Sequence, residues 1–97
     1  MNPVRNSQWY TYVLYSKKDK FLYIGCTKDL IKRLKEHNNG EVFSTRNRLP
    51  LKLIYYEVGT NSGDAYSREK YLKSGMGKRY IKNRLKSYFI SINKVNF

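Results

Sequence analysis

The chain has 97 residues, with 20 Lys+Arg against 7 Asp+Glu, a formal net charge of +13, and 15% aromatic side chains. That length allows one domain, and its aromatic and β-branched content excludes a disordered chain. The single cysteine, Cys26, excludes an internal disulfide framework and any CxxC zinc site, and no apolar run reaches the roughly 18 residues of a membrane span.

Residues 1–7 carry no apolar h-region, so the expectation is a cytoplasmic protein, and its charge points to a polyanionic partner. Residues 8–15, Gln-Trp-Tyr-Thr-Tyr-Val-Leu-Tyr, read as a strand. The polar break Lys17-Lys18-Asp19-Lys20 leads into a second short strand, Phe21-Leu22-Tyr23-Ile24, which Gly25 ends. So brief a connection joins antiparallel neighbours, a hairpin. Thr27 or Asp29 caps a helix to about His37, with Leu30, Ile31 and Leu34 as its apolar stripe and Asn38-Asn39-Gly40 as its stop. A polar loop follows over residues 41–50, and Leu51 to Glu57 form the third strand behind Pro50.

Gly59 to Gly63 form a turn, and Asp64 is the expected N-cap of a helix to about Lys73. Gly75-Met76-Gly77 is expected to break it. A last helix runs from about Lys78 to Tyr88, with Tyr80, Ile81, Leu85 and Tyr88 or Phe89 facing inward. The tail from Ile90 stays unassigned. The order ββαβαα with a short antiparallel sheet predicts an α+β domain over residues 8–88, flanked by terminal segments 1–7 and 89–97.

Few residues suit chemistry. Glu69 stands mid-helix among Arg68, Lys70 and Lys73, where a carboxylate stays ionised and can hold a divalent cation; its plainer role is an i,i+4 ion pair with Lys73. Arg33 and His37, four apart, share one side of the first helix and suit a phosphate beside a proton donor or acceptor. Singly, His37 would be a helix C-terminal cap and Arg33 a solvated charge. Tyr12 and Tyr23 sit on the two hairpin strands, where tyrosines more often pack across strands than catalyse.

Taken together, the order Tyr12, Tyr23-Ile24-Gly25, Arg33, His37, Glu69 resembles the GIY-YIG nucleases, a family that includes excision-repair nuclease domains, homing and restriction endonucleases and small free-standing bacterial proteins. Tyr23-Ile24-Gly25 is the literal second half of the signature, and Tyr10-Thr11-Tyr12 stands in the first half. Residues 29–38 resemble the family's second motif, and Arg68-Glu69-Lys70-Tyr71-Leu72-Lys73 its glutamate motif. Ser44-Thr45-Arg46, Pro50 and Tyr55-Tyr56-Glu57 resemble its free-standing branch. Asn83 is the nearest candidate for a supporting asparagine found in many members.

The resemblance implies a three-stranded antiparallel sheet flanked by helices and hydrolysis of a phosphodiester with one divalent ion. Glu69 would hold Mg²⁺ or Mn²⁺, and Arg33 would bind the scissile phosphate. Tyr12 and Tyr23 would orient or deprotonate water, which for a phenol needs the metal and Arg33 to lower its pKa. His37 would orient a tyrosine or relay its proton, and Gly25 would let the backbone turn tightly. DNA, whether duplex, branched or damaged, is the expected partner, with RNA as the alternative, bound with weak sequence preference by a monomer or weak dimer. Its phosphates would meet Lys78, Arg79, Lys82, Arg84 and Lys86 on the last helix, a second cluster of Arg46, Arg48 and Lys52, and Lys73. The competing reading is a non-catalytic nucleic-acid-binding module that keeps the fold. Attachment to membranes through the last helix is weaker, because its apolar residues serve the core.

Overall fold

A computed structural model describes residues 8–93. Strands β1 (Trp9–Ser16), β2 (Leu22–Thr27) and β3 (Leu51–Gly59) form one antiparallel sheet in the order β2-β1-β3, so the hairpin is extended by a third strand on the far side of β1. Helix α1 (Leu30–Asn38) precedes β3, and α2 (Ser62–Lys73), α3 (Gly75–Arg84) and α4 (Lys86–Ile92) follow it. This is the expected α+β architecture, with one helix more than ββαβαα.

Alternation along β1 divides the core in two. Val13, with Ile24 of β2, packs against Leu72, Ile81 and Phe89 of the three C-terminal helices. Tyr12 and Leu14, pointing the other way, join Leu51, Tyr23 and the Leu30 and Leu34 side chains of α1. Each face of the sheet therefore has its own apolar cover. The expected stripe of α1 is narrower than its sequence suggests, because Ile31 is 71% exposed while His37 is completely buried.

Several boundaries differ from expectation for local reasons. Gly25 does not end β2 but lies inside it, paired with Tyr12. Asp29 is the cap of α1, accepting a hydrogen bond from Lys32 N at 3.1 Å. Asn61, not Asp64, caps α2: its side-chain oxygen accepts from the Asp64 N–H at 3.1 Å. Gly75 to Gly77 open α3 rather than separate two helices. The break is Ser74, whose Oγ donates to Tyr71 O at 2.6 Å and accepts from Gly77 N at 3.2 Å. Gly77 is needed for a different reason, since a Cβ there would collide with the Tyr71 carbonyl and Leu72 Cα. The last helix bends at Leu85, although Leu85 N still bonds Ile81 O and Phe89 N bonds Leu85 O, at 2.9 and 3.0 Å. The bend keeps Ile81 and Phe89 in one core.

Two polar clasps fix α1 and its following loop. The Asn38 amide accepts from Leu51 N at 3.0 Å and donates to Leu51 O at 3.1 Å, tying the end of α1 to the start of β3. Arg48 donates to Asp19 at 2.6 and 3.3 Å and to the Leu22 carbonyl at 3.3 Å, tying the loop to the hairpin turn.

Candidate active site

Tyr12 is the hub. It is 2% exposed, and its ring end lies directly over Gly25, where a Cβ would collide with the ring carbon and the hydroxyl. Glycine is required here for close approach across the strand pair and not for a turn, which corrects the expected role. Beside it Tyr23 packs with its centroid 6.4 Å from Tyr12 and 5.1 Å from His37, and His37 lies edge-on to Tyr12 at 5.8 Å.

His37 is buried between two partners and is not a helix cap. Its Nε2 lies 2.9 Å from the Tyr12 hydroxyl and its Nδ1 2.8 Å from Thr45 Oγ1. Burial, reinforced by the Arg33 charge, pulls the imidazole down to about 4, so the ring is neutral at pH 7. Burial also pushes the Tyr12 phenol up to about 12 against the pull of the Arg33 guanidinium. The expected lowering by Arg33 is present, but desolvation outweighs it. Arg33 in turn is raised above its ordinary value, first by its interaction with the Tyr12 hydroxyl.

The two charged groups reach this hub from opposite faces. Arg33, on α1, stands beside the Tyr12 hydroxyl and also meets Glu36 Oε1 at 3.2 Å, so Glu36 is not merely a solvated charge. Glu69 comes from α2, on the other face of the sheet. Its negative charge opposes ionisation of both Tyr12 and Cys26, and Cys26 belongs to the edge strand β2. The carboxylate is paired with Lys73 at 3.3 Å, the plain i,i+4 contact, with 21% of its side chain exposed. A cleft of about 340 Å³ opens beside Arg33, lined also by Lys28, Lys32, Cys26 and Trp9.

Among the described residues no three His, Cys, Asp or Glu side chains gather as a metal-binding group. A single carboxylate suits a hard cation that keeps most of its waters, as Mg²⁺ does.

The expected phosphate contacts divide. Lys78, Arg79, Lys82, Arg84 and Lys86 are exposed, but they span α3 and α4 rather than one helix. Arg46 covers the Phe43 ring at 4.6 Å and Lys52 the Tyr88 ring at 5.3 Å, both exposed to solvent. Arg48 does not join them: it is half-buried and committed to Asp19. Asn83 is exposed on α3, with no contact to the hub among the described hydrogen bonds. Thr45, Glu36 and Asn38 are the residues that sequence reasoning missed. Thr45 had a signal, since it lies in the Ser44-Thr45-Arg46 segment, but no role could be read from it.

The family model of the GIY-YIG catalytic domain matches residues 8–82. The UPF0213 protein CPE1444 of Clostridium perfringens is 49% identical over 65 residues, covering 66% of this chain and 69% of that protein. The UPF0213 protein SpyM50708 of Streptococcus pyogenes is 49% identical over 65 residues, covering 66% and 70%. The UPF0213 protein YsiG of Lactococcus lactis is 44% identical over 68 residues, covering 69% and 64%. No solved structure matches.

Proposed function

The chain belongs to the GIY-YIG family, and from that premise we propose that it is an endonuclease that hydrolyses DNA phosphodiester bonds with one divalent ion and little sequence preference. The observation that carries this reading is convergence: two tyrosines and a buried histidine from β1, β2 and α1 pack together, and Arg33 stands beside the Tyr12 hydroxyl.

Arg33 binds a phosphate oxygen in place of Glu36, whose single contact is readily exchanged for a better anion. The guanidinium then stabilises charge building on the phosphorus oxygens. Tyr12 is held by His37, and Tyr23 stacks beside them, so the two phenols orient the attacking water. Glu69 holds Mg²⁺ or Mn²⁺, with Lys73 released to a DNA phosphate. When bound, the ion supplies Lewis-acid stabilisation of the leaving oxygen. DNA is held by the exposed Arg46, Lys52, Lys73, Lys78, Arg79, Lys82, Arg84 and Lys86, contacts to phosphate that carry no sequence information. One compact module offers little area for base contacts, and it acts as a monomer or weak dimer.

The test is a cleavage panel of duplex, branched and single-stranded DNA and RNA with Mg²⁺, Mn²⁺ and chelator. The expected result is metal-dependent cutting of DNA by the wild type, abolished in Glu69→Ala while DNA binding persists. Salt-sensitive binding without cleavage under any metal would favour the purely binding module. Cutting by Glu69→Ala at the wild-type rate would remove the metal site.

A further inference from the structure

Thr45 lies in the loop between α1 and β3. It is 0% exposed, as is His37, and it ends a chain of three side chains: Thr45 Oγ1 to His37 Nδ1 at 2.8 Å, and His37 Nε2 to the Tyr12 hydroxyl at 2.9 Å. Heavy-atom positions alone leave the direction of these bonds open; either tautomer leaves one hydroxyl hydrogen over, and the surroundings of that hydroxyl decide between them. A neutral imidazole carries one N–H.

If Nδ1 carries it, Nδ1 donates to Thr45 and the Tyr12 hydroxyl donates to Nε2. The hydrogen of Thr45 is then left over. Among the described residues the Thr45 hydroxyl makes no other hydrogen bond, so that hydrogen would be buried without an acceptor, at the full cost of its desolvation. If Nε2 carries it, Thr45 donates to Nδ1 and Nε2–H donates to the Tyr12 oxygen. Tyr12's own hydrogen then turns away from His37, while its oxygen accepts from His37 with the Arg33 guanidinium beside it. Arg33 has no acceptor. Tyr12 is 2% exposed, but the Arg33 beside it borders the cleft, so the Tyr12 hydrogen, unlike the one on Thr45, has a water or a phosphate oxygen at the Arg33 site as its acceptor.

We propose that Thr45 is a positioning residue, which fixes His37 as its Nε2–H tautomer and so aims the Tyr12 hydroxyl at the reacting phosphate and its water. The Tyr12 oxygen then accepts from His37 with the Arg33 cation beside it, and both favour negative charge on that oxygen. The catalytic consequence rests on the nuclease reading above; the tautomer does not.

His37 is the only histidine in the chain, so ¹⁵N NMR of uniformly labelled protein reads its two ring nitrogens without ambiguity. The expected wild-type spectrum has a protonated Nε2 and an unprotonated Nδ1. Thr45→Val, which keeps the shape and loses the hydroxyl, is expected to populate the Nδ1–H form. It should also lower kcat by about tenfold to a hundredfold at unchanged KM, the range for losing a partner that orients a histidine. Thr45→Ser should restore both. A protonated Nδ1 in the wild type overturns the proposal, as does a Thr45→Val protein with unchanged tautomer and kcat. Where Thr45→Val does not fold, the wild-type and Thr45→Ser spectra carry the test. An inactive wild type with a protonated Nε2 would sink the nuclease reading and leave the assignment of Thr45 standing; an active one with a protonated Nδ1 would do the reverse.

Discussion

Two tyrosine-centred polar clusters flank the same sheet, and they end differently. On the face of the three C-terminal helices, Tyr55 donates to Glu57 at 2.8 Å and lies 3.2 Å from the Tyr80 hydroxyl, while Arg68 grips both Glu57 oxygens at 2.9 and 3.0 Å. The same guanidinium covers the rings of Tyr71 and Tyr80 at 5.0 and 4.7 Å. Every charge there has its opposite in a two-pronged contact. On the α1 face, the Thr45–His37–Tyr12 chain ends at Arg33, which meets Glu36 by one oxygen only and borders an open cleft. A closed charge pair holds structure; a guanidinium with spare donors beside a buried phenol can bind a phosphate.

The sharpest way to break that contrast is to remove the arginine from each cluster. Arg33→Ala is expected to lower kcat by about 10²–10³-fold, the cost of losing a donor to developing charge, with stability little changed. Arg68→Ala is expected to lower unfolding free energy by about 1–3 kcal/mol, because Glu57 loses its hydrogen-bonded partner, and to leave cleavage at the wild-type rate. Single-turnover cleavage and urea unfolding measure the two effects separately. A loss of cleavage in Arg68→Ala matching that of Arg33→Ala would mean the clusters do not divide structure from function.

A second pair of substitutions compares the two glycines of the sheet. Gly25→Ala drives a methyl into the Tyr12 ring and hydroxyl, so it should cost about 1–3 kcal/mol of stability and also cleavage, by shifting Tyr12 off His37. Gly59, at the end of β3, has nothing within 4 Å of an added Cβ. Gly59→Ala should therefore change stability by no more than about 0.5 kcal/mol. Equal effects at both positions would show that the Tyr12 ring does not depend on the missing side chain.

This contrast was only partly legible in the amino-acid sequence. The α+β order followed from aromatic and β-branched runs, short connections and glycine stops. Tyr12, Tyr23, Arg33, His37 and Glu69 could be singled out because they keep family spacing; the structure brings the first four together, while Glu69 pairs with Lys73 on α2. The reasons they work together were hidden. That Tyr12 needs a bare Gly25 depends on which residues pair across the hairpin, and one residue of register would have removed the need. That His37 is buried and neutral depends on tertiary packing and on the Arg33 charge, and its Nδ1 partner, Thr45, comes from loop 41–50 folded back against α1. Arg48 looked like any other cation in a basic chain, and only the approach of Asp19 from the hairpin turn sets it apart. Such contacts belong to tertiary structure, where local pattern carries little information.

The buried histidine also distinguishes the clusters by pH. Its folded pKa, about 4, lies below the ordinary 6.5, through burial first and the Arg33 charge second, while Glu36 pulls the other way. Between those values the unfolded chain binds a proton at His37 that the folded chain refuses, so stability rises with pH across the window. The contribution is complete above about pH 6.5 and is lost as pH falls toward 4. Between about pH 7 and pH 5 the wild type should lose about 2 kcal/mol from this group alone. His37→Gln preserves a polar, hydrogen-bonding side chain and removes the titration. Its urea-unfolding free energy is therefore expected to be nearly level from pH 7 to pH 5, apart from the onset of carboxylate titration. Parallel slopes for wild type and His37→Gln would mean that the imidazole is not held neutral by its surroundings, and that the site is open to water where the structure closes it.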